Sequence, residues 1–255
     1  MNLLDAFDIN RTGHELISLV GAGGKTTTMF ALAQALKALS KRVLVSTTTN
    51  LFYPAQEECD RVIVSEAVGS GIFNAIPDGS VTVFGKGVVE ERKLAGVDKE
   101  FIGHLYEEKV FDCILVECDG SKRKPIKAPA HYEPVVPDNT TKTIGVIGLD
   151  AIGNPIDEAC VHRAELFSGV VGLGMGEILD PEAVVNLIVS PRGLFKGVPE
   201  KSTHCVLLNK ADTDTMREYG AAIVRGLLER TCVNLDRCLI GTLARGTIYG
   251  YTLLR

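Results

Sequence analysis

The residues Gly21-Ala22-Gly23-Gly24-Lys25-Thr26-Thr27 have the composition of a cradle for phosphate. They follow an apolar run and open a helical pattern, the context such a cradle needs. Glycines let backbone N–H groups turn inward around an anion, and a helix N-terminus adds partial positive charge. Lys25 would reach the β- and γ-phosphates of a nucleotide, and the Thr26 hydroxyl would ligate Mg²⁺. The common form of this loop has a glycine five positions before the glycine of its Gly-Lys pair; that position here is Leu19, so the loop is a short variant. A glycine turn that only starts a helix is the plainer alternative.

Two acids follow a second apolar run, in Glu117-Cys118-Asp119-Gly120. An acid at the carboxyl end of a strand beside a phosphate loop can hold Mg²⁺ through water. Glu117 directly follows the apolar run and is preferred for the metal, with Asp119 second. Lys25, Thr26, Glu117 and Asp119 are thus the candidate catalytic set. Further on, Asn209-Lys210-Ala211-Asp212 has the Asn-Lys-x-Asp form used by GTP-binding proteins. A carboxylate such as Asp212 can accept from guanine N1–H and its exocyclic amine together, a pattern adenine lacks. Asn209 would tie the loop down or meet the base edge, and the Lys210 stem would cover the ring. The alternative for Asp212 is a helix N-cap.

Other residues suggest a second ligand. Thr47-Thr48-Thr49-Asn50 closes another strand, where hydroxyls would border a ligand crevice. Ser121–Lys127 carries four cations in seven residues, Lys122 and Arg123 among them, which suggests a local anion site in an acidic chain. His131 with Glu133, and His162 with Arg163, are candidate acid–base or anion-binding groups, set against ordinary structural or surface roles. No His/Cys spacing supports a transition-metal site. Cys118, between the two acids, reads as a small side chain at a strand end.

The elements that must position these residues alternate. Leu16 to Val20, Arg42 to Ser46, Arg61 to Val64, Cys113 to Glu117, Thr143 to Ile147 and Thr203 to Leu208 read as strands. Thr26 to Leu39 is helical, with Ala31, Leu32, Ala35, Leu36 and Leu39 on one face. Ser65 to Ala75 suggests another helix, Asp98 a cap for a helix to about Glu108, Asp180-Pro181-Glu182 a helix start, and Asp212 to Arg230 the last long helix. Val81 to Val89 reads as a hairpin turning at Gly85-Lys86-Gly87. Lys122 to Pro137 is the longest expected loop, and the glycine-rich residues 150–200 could form an inserted subdomain in an otherwise single domain spanning 1–255. Short apolar strands alternating with helices predict an α/β fold with a mostly parallel sheet covered on both faces.

Composition bounds the rest. A chain of 255 residues with 23% charged and 45% hydrophobic residues is long and apolar enough for a real core. A net charge of −5 argues against a broad nucleic-acid surface. Seven cysteines without a Cys-x-x-Cys pair read as reduced thiols of a cytoplasmic protein. The acidic start MNLLDAFDIN lacks the basic region of a signal peptide, and no apolar run approaches the ~20 residues of a membrane span.

The three motifs in order resemble the metallochaperone-type branch of P-loop GTPases, whose third motif often begins with Glu. Beyond them, Leu19–Thr27, Ser46–Asn50, Val116–Lys122, Lys127–Pro134, Val161–Glu165 and Asn209–Asp212 are similar to a narrower family, the YqeC-like accessory proteins of selenium-cofactor biosynthesis. The resemblance implies a three-layer α/β/α P-loop NTPase. It implies a cytoplasmic maturation factor used with a selenium-dependent molybdenum hydroxylase or its cofactor-assembly proteins. Mg²⁺ with GTP or ATP would be bound, without nucleic-acid or membrane partners. Two other readings remain open: an ATP-dependent kinase or ligase acting on a small anionic substrate, and a nucleotide-dependent scaffold without turnover.

Overall fold

The structure is a computed structural model that describes residues 2–66, 69–73, 75–89, 92–230 and 234–254. Its strands are β1 (Glu15–Gly21), β2 (Arg42–Thr47), β3 (Asn50–Phe52), β4 (Arg61–Val64), β5 (Ser80–Gly85), β6 (Val88–Val89), β7 (Lys93–Ala95), β8 (Cys113–Glu117), β9 (Ile126–Lys127), β10 (Lys142–Gly148), β11 (Val161–His162), β12 (Thr203–Asn209), β13 (Arg237–Thr242) and β14 (Thr247–Leu253). The helices are α1 (Leu3–Ala6), α2 (Lys25–Lys37), α3 (Lys99–Glu107), α4 (Ala164–Val171), α5 (Pro181–Val189) and α6 (Asp214–Leu228).

Nine strands form one sheet in the order β14-β13-β12-β10-β1-β8-β2-β5-β4. All its neighbours run parallel except β14, which returns antiparallel beside β13. The side-chain alternation of a strand divides the core into two layers. Ile17, Leu19, Val43, Val45 and Leu115 pack with Met29, Leu32 and Leu36 of α2 and Leu4 of α1 on one face. Leu16, Leu44, Ile114 and Val116 pack with Ile102 and Leu105 of α3, Val184 and Leu187 of α5, and Ile223 of α6 on the other. The fold is three-layer α/β/α, as the alternating pattern predicts. Buried on both faces, β1 and β8 read as continuous apolar runs.

Several local expectations change. β5 joins β2 and β4 in the large sheet, whereas β6 pairs antiparallel with β7, so 81–89 is no hairpin. The reason is burial: every residue of β5 is buried, while both valines of β6 are exposed. In place of a helix over 65–75 there is a 3₁₀ turn at Ser70–Phe73; Ala67, Val68 and Asn74 of that stretch lie outside the described residues. The loop from Lys122 to Pro137 contains β9, which pairs with β11. Asp98 precedes α3 but does not cap it through its side chain; its carboxylate meets Lys86 Nζ at 2.6 Å. Residues 150–200 contribute α4 and α5, whose Phe167, Val171, Val184 and Leu187 join the same cluster as Ile114 and Val206 of the sheet.

Asp180 caps α5 through a 2.8 Å bond from Ala183 N–H, with Pro181 in the first turn. Asp180→Ala is expected to lower the free energy of unfolding by about 1 kcal/mol in a urea titration, with the slope unchanged.

Candidate functional site

β1 is central in the sheet, so the turn that leaves it has strand ends on both sides. Gly21 pairs in register with Val146 of β10, and Leu19 with Glu117 of β8. Glu117 in turn sits beside Thr47 of β2. The carboxyl ends of β12, β10, β1, β8 and β2 therefore converge on the loop, where open parallel sheets place their ligand crevices.

Close contacts hold the loop. Ala22 N–H donates to Val146 O at 2.9 Å, and Gly23 N–H to Lys124 O at 3.1 Å. Gly23, at φ 87°, has no room for a side chain: a Cβ there would lie 2.2 Å from Gly148 N. At Gly24, φ 125°, it would lie 2.4 Å from Asn209 Nδ2. Gly24 precedes α2 and supplies no side-chain cap, and Gly24 to Thr27 line an open crevice.

The Lys25 side chain folds back over this loop and is buried. Its Nζ donates to Gly21 O at 2.5 Å and lies 3.0 Å from Asp119 Oδ1 and 3.6 Å from Glu117 Oε1. Burial disfavours the ammonium, but Asp119 and Glu117 outweigh it and raise the Lys25 pKa. The Thr26 hydroxyl donates to Glu117 Oε2 at 2.8 Å. Burial raises the Glu117 pKa despite Lys25 and Thr26, so this carboxylate is short of positive charge. A hydroxyl and a carboxylate in contact are a fitting oxygen pair for Mg²⁺, which keeps waters and takes substrate phosphates as further ligands. Among the described residues no group of three or more His, Cys, Asp or Glu side chains is arranged to hold a metal ion.

Asp119 has a different environment. Its Oδ2 accepts from Gly21 N–H at 3.1 Å and lies 3.0 Å from Lys127 Nζ. Lys127 is buried and donates to Gly120 O and Glu133 Oε2, both at 2.6 Å. Glu133 also receives a two-pronged contact from Arg163, at 2.6 Å and 2.9 Å. Burial would raise the Glu133 pKa, but the bonds from Arg163 and Lys127 win and lower it. An alternating chain thus runs Glu117–Lys25–Asp119–Lys127–Glu133–Arg163. In sequence Lys127 stands apart from its basic stretch only by its place between apolar Ile126 and Ala128.

The remaining candidates divide. Thr47 and Thr48 serve the backbone: their hydroxyls donate to Glu117 O at 2.8 Å and Val135 O at 2.7 Å. Thr49 lines a cavity of about 1240 Å³ over the loop, together with Gly23, Gly24, Lys25, Thr26, Thr27, Glu117, Lys122, Arg123, Glu133 and Lys210. His131 is exposed and stacks edge-on against Tyr132. His162 is buried, and burial followed by Arg163 and Lys127 lowers its pKa to about 4, which leaves it neutral at pH 7. Burial pushes the Cys118 thiol up to about 12, so it is no thiolate nucleophile. Asn209 is buried and is a tether: Nδ2 donates to Gly23 O at 2.9 Å, and Oδ1 accepts from Leu243 N–H at 3.0 Å. Lys210 Nζ pairs with Asp150 Oδ2 at 2.7 Å. The cap of α6 is Thr213, whose hydroxyl accepts from Met216 N–H, so Asp212 is free of that duty. Asp212 is exposed, with Oδ1 3.5 Å from Arg245 Nε.

A family model described as YqeC protein matches residues 17–165. The chain is also 33% identical over 200 residues to the Escherichia coli (strain K12) protein named "Uncharacterized protein YqeC", with 76% of this chain and 75% of that one covered. The chain belongs to the YqeC family. The segment matched to the YqeC model contains the glycine loop, both acids, Lys127, Glu133, His162 and Arg163; Asn209–Asp212 lies beyond it. No helix among the described residues of this YqeC-family chain is long and apolar enough to cross a membrane.

Two measurements probe the charge chain. Lys127→Met leaves Asp119 and Glu133 short of a buried cation and is expected to cost roughly 3 kcal/mol of unfolding free energy, about the loss for breaking a buried pair. His162 has a folded pKa of about 4 against an ordinary 6.5, so the unfolded chain binds its proton first. The stability tied to its neutrality is full above 6.5 and is lost as pH falls through this window. His162→Gln should therefore flatten the pH dependence of stability there, by about 2 kcal/mol relative to the unsubstituted chain.

Proposed function

We propose that the chain binds a purine nucleoside triphosphate with Mg²⁺, GTP in preference to ATP, and hydrolyses its terminal phosphoryl bond. In this reading it serves as a cytoplasmic accessory factor in maturation of a selenium-dependent molybdenum hydroxylase or its cofactor. One arrangement carries the nucleotide reading. The glycine loop opens α2 with Lys25 at its start, and the Thr26 hydroxyl meets Glu117 at 2.8 Å on the adjoining strand end. The pathway half rests on the resemblance of the motifs and on YqeC-family membership.

Each group then has a task. The first-turn N–H groups of α2 and the Lys25 ammonium bind the β- and γ-phosphates. Lys25 exchanges Gly21 O and its two acids for phosphate oxygens. Thr26 and Glu117 hold Mg²⁺, which neutralises charge on the phosphate oxygens when bound. Asp119, still held by Lys127 and Gly21 N–H, keeps the loop against β8. Water attacks in line with the leaving oxygen, and the developing charge is met by Lys25. Freedom from the α6 cap supports Asp212 as the guanine-reading acid.

One observation favours a second reading. Asp212 sits at the exposed rim beside Arg245 rather than in the cavity lining, which suits a site that ignores the base and uses ATP to phosphorylate or ligate a small anion.

Calorimetric titration with non-hydrolysable GTP and ATP analogues, with Mg²⁺, tests both. GTP-analogue binding should be stronger, and should fall at least about tenfold in Lys25→Met. Equal binding by that variant overturns the loop assignment, and an ATP preference moves the kinase or ligase reading first. Asp212→Asn should weaken the GTP analogue roughly tenfold and favour the xanthosine nucleotide, whose hydrogen-bonding pattern is reversed. Unchanged GTP affinity removes Asp212 from base recognition.

A further inference from the structure

The cavity over the glycine loop is larger than one ligand needs. It measures about 1240 Å³, whereas pockets for single small ligands run to roughly 300–1,000 Å³. Its lining crosses the sheet edge from Lys210, after β12, through the loop after β1, to residues 49–53 after β2. Between β12 and β2 stand β10, β1 and β8. That is four strand intervals, roughly 19 Å. A nucleotide with its phosphates at the loop extends its base toward one flank only, and Asn209–Asp212 lies on the β12 flank. The β2 flank is then left for something else.

We propose that this β2 flank binds a second ligand, a small organic anion that carries a flat unsaturated ring. The proposal rests on the nucleotide reading only for the choice of flank. The wall here is cationic and aromatic together. Arg123 Cζ lies 4.4 Å from the centre of the Phe52 ring, and Lys93 Nζ lies 4.8 Å from it. Phe52 and Tyr53 are each 39% exposed, and Tyr132 is 61% exposed, so three rings of the cavity lining leave substantial apolar area in water. A flat ligand would cover such area by stacking.

The anion preference follows from the charges. Lys122 and Arg123 are consecutive non-glycine residues in the left-handed region, at φ 47° and 61°. Each such position costs of order 1 kcal/mol and persists only where its surroundings impose it. Here the turn is closed by Lys124 N–H donating to Ser121 O at 2.9 Å, and is pinned by Lys124 Nζ on Ala159 O at 2.6 Å. The pinned turn sets both cationic side chains on the cavity wall. Of the described acids in the lining, Glu133 is neutralised by Lys127 and Arg163, and Glu58 accepts from Ala55 N–H at 2.8 Å. Lys122 and Arg123 thus bring positive charge beside the rings, and a ligand that joins an acidic group to a flat ring satisfies both at once.

The test uses three probes: phenyl phosphate, cyclohexyl phosphate and phenol. Binding is read by calorimetry and saturation-transfer NMR on the full chain, saturated with Mg²⁺ and the non-hydrolysable GTP analogue. Phenyl phosphate should bind, cyclohexyl phosphate at least about threefold more weakly, and phenol not measurably. The double substitution Lys122→Ala and Arg123→Ala should weaken phenyl phosphate by roughly tenfold or more, with the thermal midpoint kept as a check on folding. Tyr53→Leu should remove the preference for the flat ring while phosphate dependence remains. Equal binding of the two phosphates, or unchanged binding by the double variant, overturns the proposal. So does displacement of phenyl phosphate by the nucleotide analogue, which would give the aromatic wall to the nucleotide itself. Should the analogue fail to bind at all, the same series on nucleotide-free Lys25→Met reads the flank separately: dependence on Lys122 and Arg123 upholds the proposal, and its absence overturns it.

Discussion

Asp119 accepts from the Gly21 N–H and lies 3.0 Å from two buried ammonium groups, those of Lys25 and Lys127. An ammonium taken out of water costs several kcal/mol unless a carboxylate and further acceptors replace its hydration. Here the replacements come from separated parts of the chain: Gly21 O for Lys25, and Gly120 O and Glu133 for Lys127. The glycine loop, the end of β8 and the segment from Ile126 to Glu133 are thereby fastened at one carboxylate. Arg163 extends the fastening to the start of α4. Such a network adds little net stability over an apolar core, but loss of one member strands its partner. Its effect is therefore to fix geometry, and the geometry it fixes is that of the loop.

The two acids of the β8 end consequently differ in role although they stand two residues apart. Asp119 is taken up by cations and a backbone donor of the protein itself. Glu117 holds the Thr26 hydroxyl and only a distant lysine, at 3.6 Å, and burial leaves its carboxylate undercompensated. The strand accounts for this division. Glu117 is still paired between β1 and β2, opposite Leu19 and Thr47, whereas Asp119 has left the strand and reaches under the loop.

Periodicity made the sheet legible from β4 to β12, because strands buried on both faces leave unbroken apolar runs at Leu16–Val20 and Cys113–Val116, whereas β13 and β14 are not among the strands it predicts. The glycine loop was legible because its glycines are required locally, by φ and by close neighbours. The partners of long side chains were not. Nothing near Lys127 in sequence announces that Asp119 and Glu133 will enclose it. Thr47 and Thr48 have the residue type for ligand contact, yet their hydroxyls are spent on carbonyls of β8 and of the segment before β10. Asp212 and Thr213 are both good N-caps, and one residue of register decided between them. The Val81–Val89 stretch failed for a similar reason: a turn signal says that the chain bends, and burial decides which sheet each arm joins.

If the chain binds a nucleotide as proposed, the closed position of Lys25 would link cation to phosphate. If Lys25 leaves for a phosphate, Asp119 retains Lys127 and the Gly21 N–H, but Glu117 loses its cation in a buried place. A triphosphate alone would therefore take positive charge from Glu117 just as it brought further negative charge beside it. Thr26 and Glu117 would hold a divalent cation there, and its charge would answer both deficits. In the proposed reading, binding of one would thus favour binding of the other by the same factor in either order. This coupling needs no movement beyond one lysine side chain, because the loop that carries it is already held by Asp119 and Asn209.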